Sequence, residues 1–356
     1  MEPAGSLTLM VPGRLETCSG GYAYDRRILA GLSRRGWSVT VRTLDASFPR
    51  PSAAARDHAV RELAAIPDGS AVLIDGLALG ALPGEVEREQ ARLRLIALVH
   101  HPLAAETGID RETGAELESS ERRALAAVRL VVVTSGATAD TLAGYGVGRG
   151  RIAIVEPGTD RAALARGSKE ERVHLLCVAA LIPRKGHQTL ARALAMMADG
   201  RWRLTCVGSL HRDPSTVDEL RALLRADGLE DRVRLAGEVD ESTLATYYDG
   251  ADAFVLPTFY EGYGMAVAEA LAHGLPVVGS ATGAIPELLA QGAGLLVPPG
   301  DPEALAAALL QVLDPAARAQ LAEGARHARN RLPTWEDATD EMANALRLVL
   351  PGTGFM

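Results

Sequence analysis

The sequence predicts an α/β protein of two Rossmann-like domains, each built on a parallel sheet and facing the other across a cleft. Three observations lead there. Short apolar runs alternate with longer, Ala-rich stretches of helical periodicity from one end to the other, the pattern of strands joined by crossover helices. The 356 residues exceed what one hydrophobic core usually organises, so two domains are expected. A polar stretch from Asp160 to Arg172 interrupts the alternation and reads as the linker.

The first domain, 1–160, offers strands at Leu7–Val11, Ser38–Leu44, Ala71–Ile74, Leu95–Val99, Leu130–Thr134 and Ile152–Val155. The second, 172–332, repeats the pattern at His174–Ala179, Arg203–Val207, Val233–Leu235, Ala253–Leu256, Pro276–Val278 and Gly294–Val297. Helices are expected from Pro302 to Leu313, from Pro315 to Arg329 and at the end of the chain. Pro333 and Thr334 supply a start signal for the last helix, 334–350, which is expected to pack back on the first domain.

Composition removes several function classes. Hydrophobic residues make up 47% and charged residues 23%, which suits a folded globular protein rather than a disordered one. A net charge of −8 argues against a general nucleic-acid binder, because such binding needs a basic footprint to neutralise phosphates. No run reaches the roughly 18 apolar residues of a membrane helix. Arg26, Arg27, Arg34 and Arg35 would allow at most a peripheral basic stripe on the first helix, with a solvated face the simpler reading. Cys18, Cys177 and Cys206 are an odd number at wide spacing, with no metal-type pairs and no disulfide framework, which suits a reducing cytoplasm.

The most informative segment runs from Phe254 to Leu271, where an apolar strand ends at Pro257, a loop follows and a helix begins near Gly264. In open α/β sheets ligands gather beyond the C-terminal strand ends, and a helix N-terminus offers free N–H groups and partial positive charge to phosphate. Glu261 falls in the loop and Glu269 on the helix, two carboxylates suited to accept hydroxyl hydrogen bonds from a sugar and a ribose. A second segment, Leu181 to Gln188, places Arg184 and Lys185 just after the first strand of the second domain. Two permanent cations there suit a diphosphate, and both can offset charge growing on a departing nucleotide.

The run Glu261-Gly-Tyr-Gly-Met-Ala-Val-Ala-Glu269 resembles the E-x7-E signature of retaining family 4 glycosyltransferases, which have the GT-B fold. The resemblance implies that Glu261 contacts donor-sugar hydroxyls, that Glu269 contacts the nucleotide ribose, and that backbone N–H groups of Tyr263, Gly264, Met265 and Ala266 hold sugar and phosphate. The 181–188 segment is similar to the family's phosphate loop, but Ala179 and Ala180 stand where the family usually has Gly-Arg. More of the phosphate load then falls on Arg184 and Lys185. Leu235 to Val239 resembles the segment whose backbone reads the nucleobase, with Val239 the contact.

In the first domain, Ser19-Gly20-Gly21 reads as a glycine turn able to admit donor phosphate or acceptor. No G-x-G-x-x-G follows the first strand, which disfavours a dinucleotide oxidoreductase. His100 and His101 follow the strand Leu95–Val99. The resemblance implies that one of them meets the donor sugar, His100 being preferred and His101 an equal alignment.

The resulting expectation is a retaining, hexosyl-type glycosyltransferase that needs neither metal nor cofactor. It would move a sugar from a nucleotide-diphosphate sugar, with UDP favoured as the commonest donor nucleotide in the family it resembles, to an unidentified acceptor hydroxyl. No side chain is placed as a covalent nucleophile, so a front-face displacement is expected, the departing phosphate taking the acceptor proton. The alternatives are a GT-B sugar-nucleotide epimerase, a phosphorylase-like enzyme, or a non-catalytic sugar-nucleotide-binding subunit.

Overall fold

A computed structural model describes residues 4–198, 200–290 and 292–350; residues 1–3, at the start of the expected first domain, lie outside them. The chain divides into two compact units, Met1–Gly158 with Pro333–Met356, and Thr159–Leu332.

The first unit holds strands β1 (Gly5–Pro12), β2 (Trp37–Leu44), β3 (Ala71–Asp75), β4 (Arg94–Val99), β5 (Leu130–Val133) and β6 (Ile152–Ile154). All pair in parallel, in the order β2-β1-β3-β4-β5-β6. The central strands are near-continuous Val, Leu and Ile runs because helices cover both faces of a parallel sheet; Leu73, Ile96 and Val132 are at most 1% exposed.

The second unit holds β7 (Val173–Val178), β8 (Trp202–Val207), β9 (Val233–Gly237), β10 (Ala253–Leu256), β11 (Val277–Ser280) and β12 (Gly294–Val297), again all parallel, in the order β12-β11-β10-β7-β8-β9. This is the doubly wound order. The chain leaves β7 toward one edge and resumes at β10 on the other side, so a switch point lies between β7 and β10. In the first unit the corresponding switch lies between β1 and β3.

Local sequence explains most helix starts. Ser19, Ser52, Asp110, Ser135, Asp213, Asp240, Asp301, Asp314 and Thr334 each accept a hydrogen bond from a first-turn backbone N–H. Thr334 and Asp337 complete a capping box for helix Trp335–Arg347. That helix lies against helix Gly20–Arg34 within the first unit. A Cβ on Gly31 would come 2.2 Å from Thr339 Oγ1, so glycine is what permits the close approach.

One reading needs correction. Gly20 and Gly21 do not form a turn ahead of the helix; they are its first turn, with Ser19 as the N-cap. On that helix Arg26, Arg27 and Arg34 are exposed, the solvated face that was expected. Arg26 binds the carbonyls of Leu15 and Thr17, Arg27 lies 5.4 Å over the Trp335 ring, and Arg35 pairs with Asp340 at 2.5 Å. Cys177 and Cys206, widely spaced in sequence, are register partners on β7 and β8. Among the described residues, no helix is long and apolar enough to cross a membrane.

Candidate functional site

The switch point of the second unit is closed by two loops that hold each other. After β7 the chain forms a tight turn at Pro183–Lys185 and then Gly186, at φ +70°, before helix His187–Met196. A Cβ on Gly186 would sit 1.9 Å from the Pro257 carbonyl oxygen, so both the backbone angle and the space require glycine there. From the loop after β10, the Phe259 N–H donates to the Arg184 carbonyl at 2.8 Å. The Thr258 hydroxyl lies 2.9 Å from that same carbonyl and 2.8 Å from that of Tyr260. The Arg184 guanidinium donates to the Tyr260 carbonyl at 2.9 Å.

This stitching sets Lys185 Nζ 2.5 Å from Glu261 Oε2, with side chains 16% and 15% exposed. The pair is a charge-assisted hydrogen bond at the mouth of the strand ends. Gly283 fixes the backbone of Glu261 from behind, since a Cβ there would lie 1.6 Å from the Glu261 carbonyl oxygen. Gly264, at φ +100°, starts helix Met265–Ala272, and no side chain caps it. The first N–H groups of that helix, from Met265 and Ala266, are the natural partners of an anion. Tyr263 is buried against Ala268 and Ala284.

Glu269, half-buried on the same helix, accepts a hydrogen bond from the Tyr248 hydroxyl at 2.9 Å. Tyr248 is in turn stacked on His273, ring centroids 4.9 Å apart and planes 9° from parallel. Burial and the Glu269 charge hold the Tyr248 phenol well above its usual range, so it stays a donor. Val239 lies past the end of β9, in the loop before helix Glu241–Asp249, half-buried against the core.

The first unit gathers a different set of residues. His100 Nε2 lies 3.2 Å from Asp25 Oδ1 and 3.9 Å from Asp75 Oδ2, and both carboxylates are almost wholly buried. Burial opposes the charged imidazole, but Asp25 and then Asp75 outweigh it, and the net shift is upward. Burial raises Asp75 to about 6, with His100 opposing and Asp25 adding to the rise. Gly21 packs against the His100 ring, where a Cβ would meet Cδ2 at 3.2 Å. His101 turns elsewhere, its Nε2 3.8 Å from Glu106.

Arg184, Lys185 and Glu261 are thus brought together, with Glu269, Tyr263, Gly264, Met265 and Ala266 on the adjoining loop and helix. His100 and Gly21 meet in the first unit, while His101 separates from them. Sequence reasoning missed Asp25, Asp75, Tyr248 and Gly283. Asp75 carried a readable signal, an acid directly after the predicted strand Ala71–Ile74. Asp25, Tyr248 and Gly283 carried none, because their partners are distant in sequence. A further group, Cys177, His187 and Cys206, lies within the second unit with all ligand atoms inside 4.8 Å of one another.

The family model described as Glycosyl transferases group 1 matches residues 172–315. A D-inositol 3-phosphate glycosyltransferase of Xylanimonas cellulosilytica is 34% identical over 231 residues, covering 60% of this chain and 55% of that protein. An MMP alpha-(1->4)-mannosyltransferase of Mycolicibacterium hassiacum is 26% identical over 311 residues, covering 83% of this chain and 74% of the other. The chain spans about half the length of the first curated relatives it matches. Among solved structures, a sucrose-phosphate synthase from Thermosynechococcus elongatus superposes with a TM-score of 0.79 at 24% identity, over 96% of this chain and 99% of the other. HepE of Anabaena, in complex with UDP-glucose, gives 0.77 at 18% identity over 96% and 99%. At those identities the structures speak for the fold, which is GT-B.

Proposed function

We propose that this chain, whose residues 172–315 match the family model of glycosyl transferases group 1, transfers a sugar from a nucleoside-diphosphate sugar to an acceptor hydroxyl, with retention at the anomeric carbon and without a metal. The observation that carries this reading is the Lys185–Glu261 contact at the β7–β10 switch point, beside a helix N-terminus that no side chain caps. A cation, a carboxylate and free N–H groups at one strand-end mouth match the three chemical parts of such a donor: phosphate, sugar hydroxyls and leaving-group charge.

In this mechanism Arg184, Lys185 and the N–H groups from Tyr263 to Ala266 stabilise the departing diphosphate, which gains charge as the glycosidic bond to it breaks. Glu261 accepts hydrogen bonds from donor-sugar hydroxyls, and the ammonium of Lys185 turns from Glu261 toward phosphate when the donor enters. Glu269, oriented by Tyr248, accepts from the ribose hydroxyls. Val239 offers its backbone to the base. The acceptor hydroxyl attacks from the face the phosphate leaves, and its proton passes to that phosphate. His100, whose pKa Asp25 and Asp75 raise, donates a hydrogen bond to a sugar hydroxyl, with Gly21 packed against its ring.

UDP is the favoured nucleotide, supported by the UDP and UDP-glucose named for HepE; the names of the curated relatives are those of transferases rather than epimerases or phosphorylases. The test is a thermal-shift series with nucleoside diphosphates, followed by transfer assays with the best sugar donor. A ligand at one hundred times its Kd should stabilise the chain by about 2.7 kcal/mol. Glu261→Gln is expected to keep the fold and lose most transfer. A chain that binds no nucleoside diphosphate, or a Glu261→Gln variant with undiminished transfer, would remove the assignment. Product NMR reads retention directly from the anomeric coupling.

A further inference from the structure

Behind the phosphate-side loop of the second unit lies a group of side chains that the proposed transfer does not use. Cys177 on β7 and Cys206 on β8 are register partners of adjacent parallel strands, so their side chains leave the same face of the sheet. Helix His187–Met196 covers that face, and its first residue brings His187 Nε2 to 3.7 Å from Cys177 Sγ. All three residues are at most 2% exposed. Among the described residues His187 Nδ1 finds no hydrogen-bond partner, while Nε2 faces the Cys177 sulphur.

Two sulphurs and an imidazole nitrogen converging in an apolar core form the donor set preferred by soft closed-shell ions. Zn–S and Zn–N bonds of about 2.3 and 2.0 Å at a tetrahedral angle hold S and N about 3.5 Å apart. The observed 3.7 Å is already close to the separation that one shared ion imposes. The three ligand atoms, all within 4.8 Å of one another, would close by at most about 1.3 Å to reach that geometry.

We propose that Cys177, Cys206 and His187 form a binding site for a single thiophilic metal ion, which would clamp helix His187–Met196 to strands β7 and β8. Binding replaces two S–H bonds by two metal–sulphur bonds, releases two protons and leaves the imidazole nitrogen as a neutral third donor. The donor assignment and this site use different side chains, so either can fail without the other.

The test uses the full chain carrying Cys18→Ser, which removes the exposed thiol, treated with chelator and titrated with Cd2+. One ion per chain is expected, with sulphur-to-cadmium charge-transfer absorption in the ultraviolet and a raised Tm. Cys206→Ala should weaken binding by at least about tenfold, the loss of one of three ligands. X-ray absorption at the cadmium edge should count two sulphur donors and one imidazole nitrogen, and it decides the matter even if Cys206→Ala does not fold. Absence of stoichiometric binding, a spectrum without sulphur donors, or unchanged affinity in a folded Cys206→Ala chain would overturn the proposal.

Discussion

The two switch points have the same origin and opposite chemistry. In each unit a parallel sheet reverses its winding direction and opens a crevice at the strand ends. In the second unit that crevice receives Arg184 and Lys185, and an uncapped helix start lies beside them. In the first it receives Asp25 and Asp75, both nearly inaccessible, around a single histidine. A phosphate would meet attraction in one and two buried carboxylates in the other. Topology therefore supplies the place, and only the side chains decide the ligand. The contrast also weighs against a phosphate role for Gly20 and Gly21, whose helix start lies against the acidic cluster.

Four substitutions would break or sharpen this contrast. The largest effect is expected from Lys185→Met in the second unit, a fall in kcat of about 10²- to 10³-fold, as for other groups that stabilise charge in a transition state. Steady-state kinetics checks it, and a fall of less than about tenfold would place the phosphate elsewhere.

In the first unit, Asp25→Asn should act through pH. The carboxylates raise the pKa of His100, so its protonated form persists to higher pH and is lost as pH rises through that raised value. Without the Asp25 charge the descending limb of the kcat–pH profile should move to lower pH, with activity near neutrality reduced about tenfold. An unmoved limb would detach His100 from the reaction.

Tyr248→Phe keeps the stacked ring but leaves Glu269 without its phenolic donor. Nucleotide affinity is expected to fall about tenfold, corresponding to a hydrogen bond to a charged group, while discrimination among sugars stays constant. Calorimetry with free nucleoside diphosphate separates the two.

The smallest effect on transfer is expected from Glu121→Gln, on helix Arg111–Ala126 and bonded to the loop that follows His101. Burial raises the Glu121 carboxyl to about 8, although one oxygen accepts the Leu103 N–H. The folded state thus keeps a proton that the unfolded chain releases from about pH 4.5 upward, and this residue's contribution to stability declines as pH rises through that window to about 8. Glutamine should flatten that decline in denaturant titrations at pH 5, 7 and 9, with transfer at neutrality changed by about twofold or less.

Much of the fold was legible because it rests on local rules. Among the described residues, all twelve strands lie where apolar runs were found, their ends shifted by at most two residues. The capping box at Thr334 was likewise visible as a start signal. The candidate site was legible where its residues share one strand-loop-helix segment, as Glu261, Gly264 and Glu269 do. It was illegible where partners come from separate elements. Nothing near Glu269 in sequence announces Tyr248, and the distance from Cys177 to Cys206 concealed that β7 and β8 set them side by side. The glycine pair at 20 and 21 misled for a related reason. Glycines usually signal a turn, yet here Gly21 serves a close contact with His100 from inside a helix.

The sequence by itself determined the alternation of strands and helices, the helix caps and the spacing of the two glutamates, since periodicity, capping and loop length act over a few residues. Tertiary structure alone decided that Lys185 meets Glu261, that Tyr248 orients Glu269, and that buried acids rather than cations surround His100. Strand order and register set these contacts, and both follow from burying whole sheets between helices rather than from any short stretch of chain.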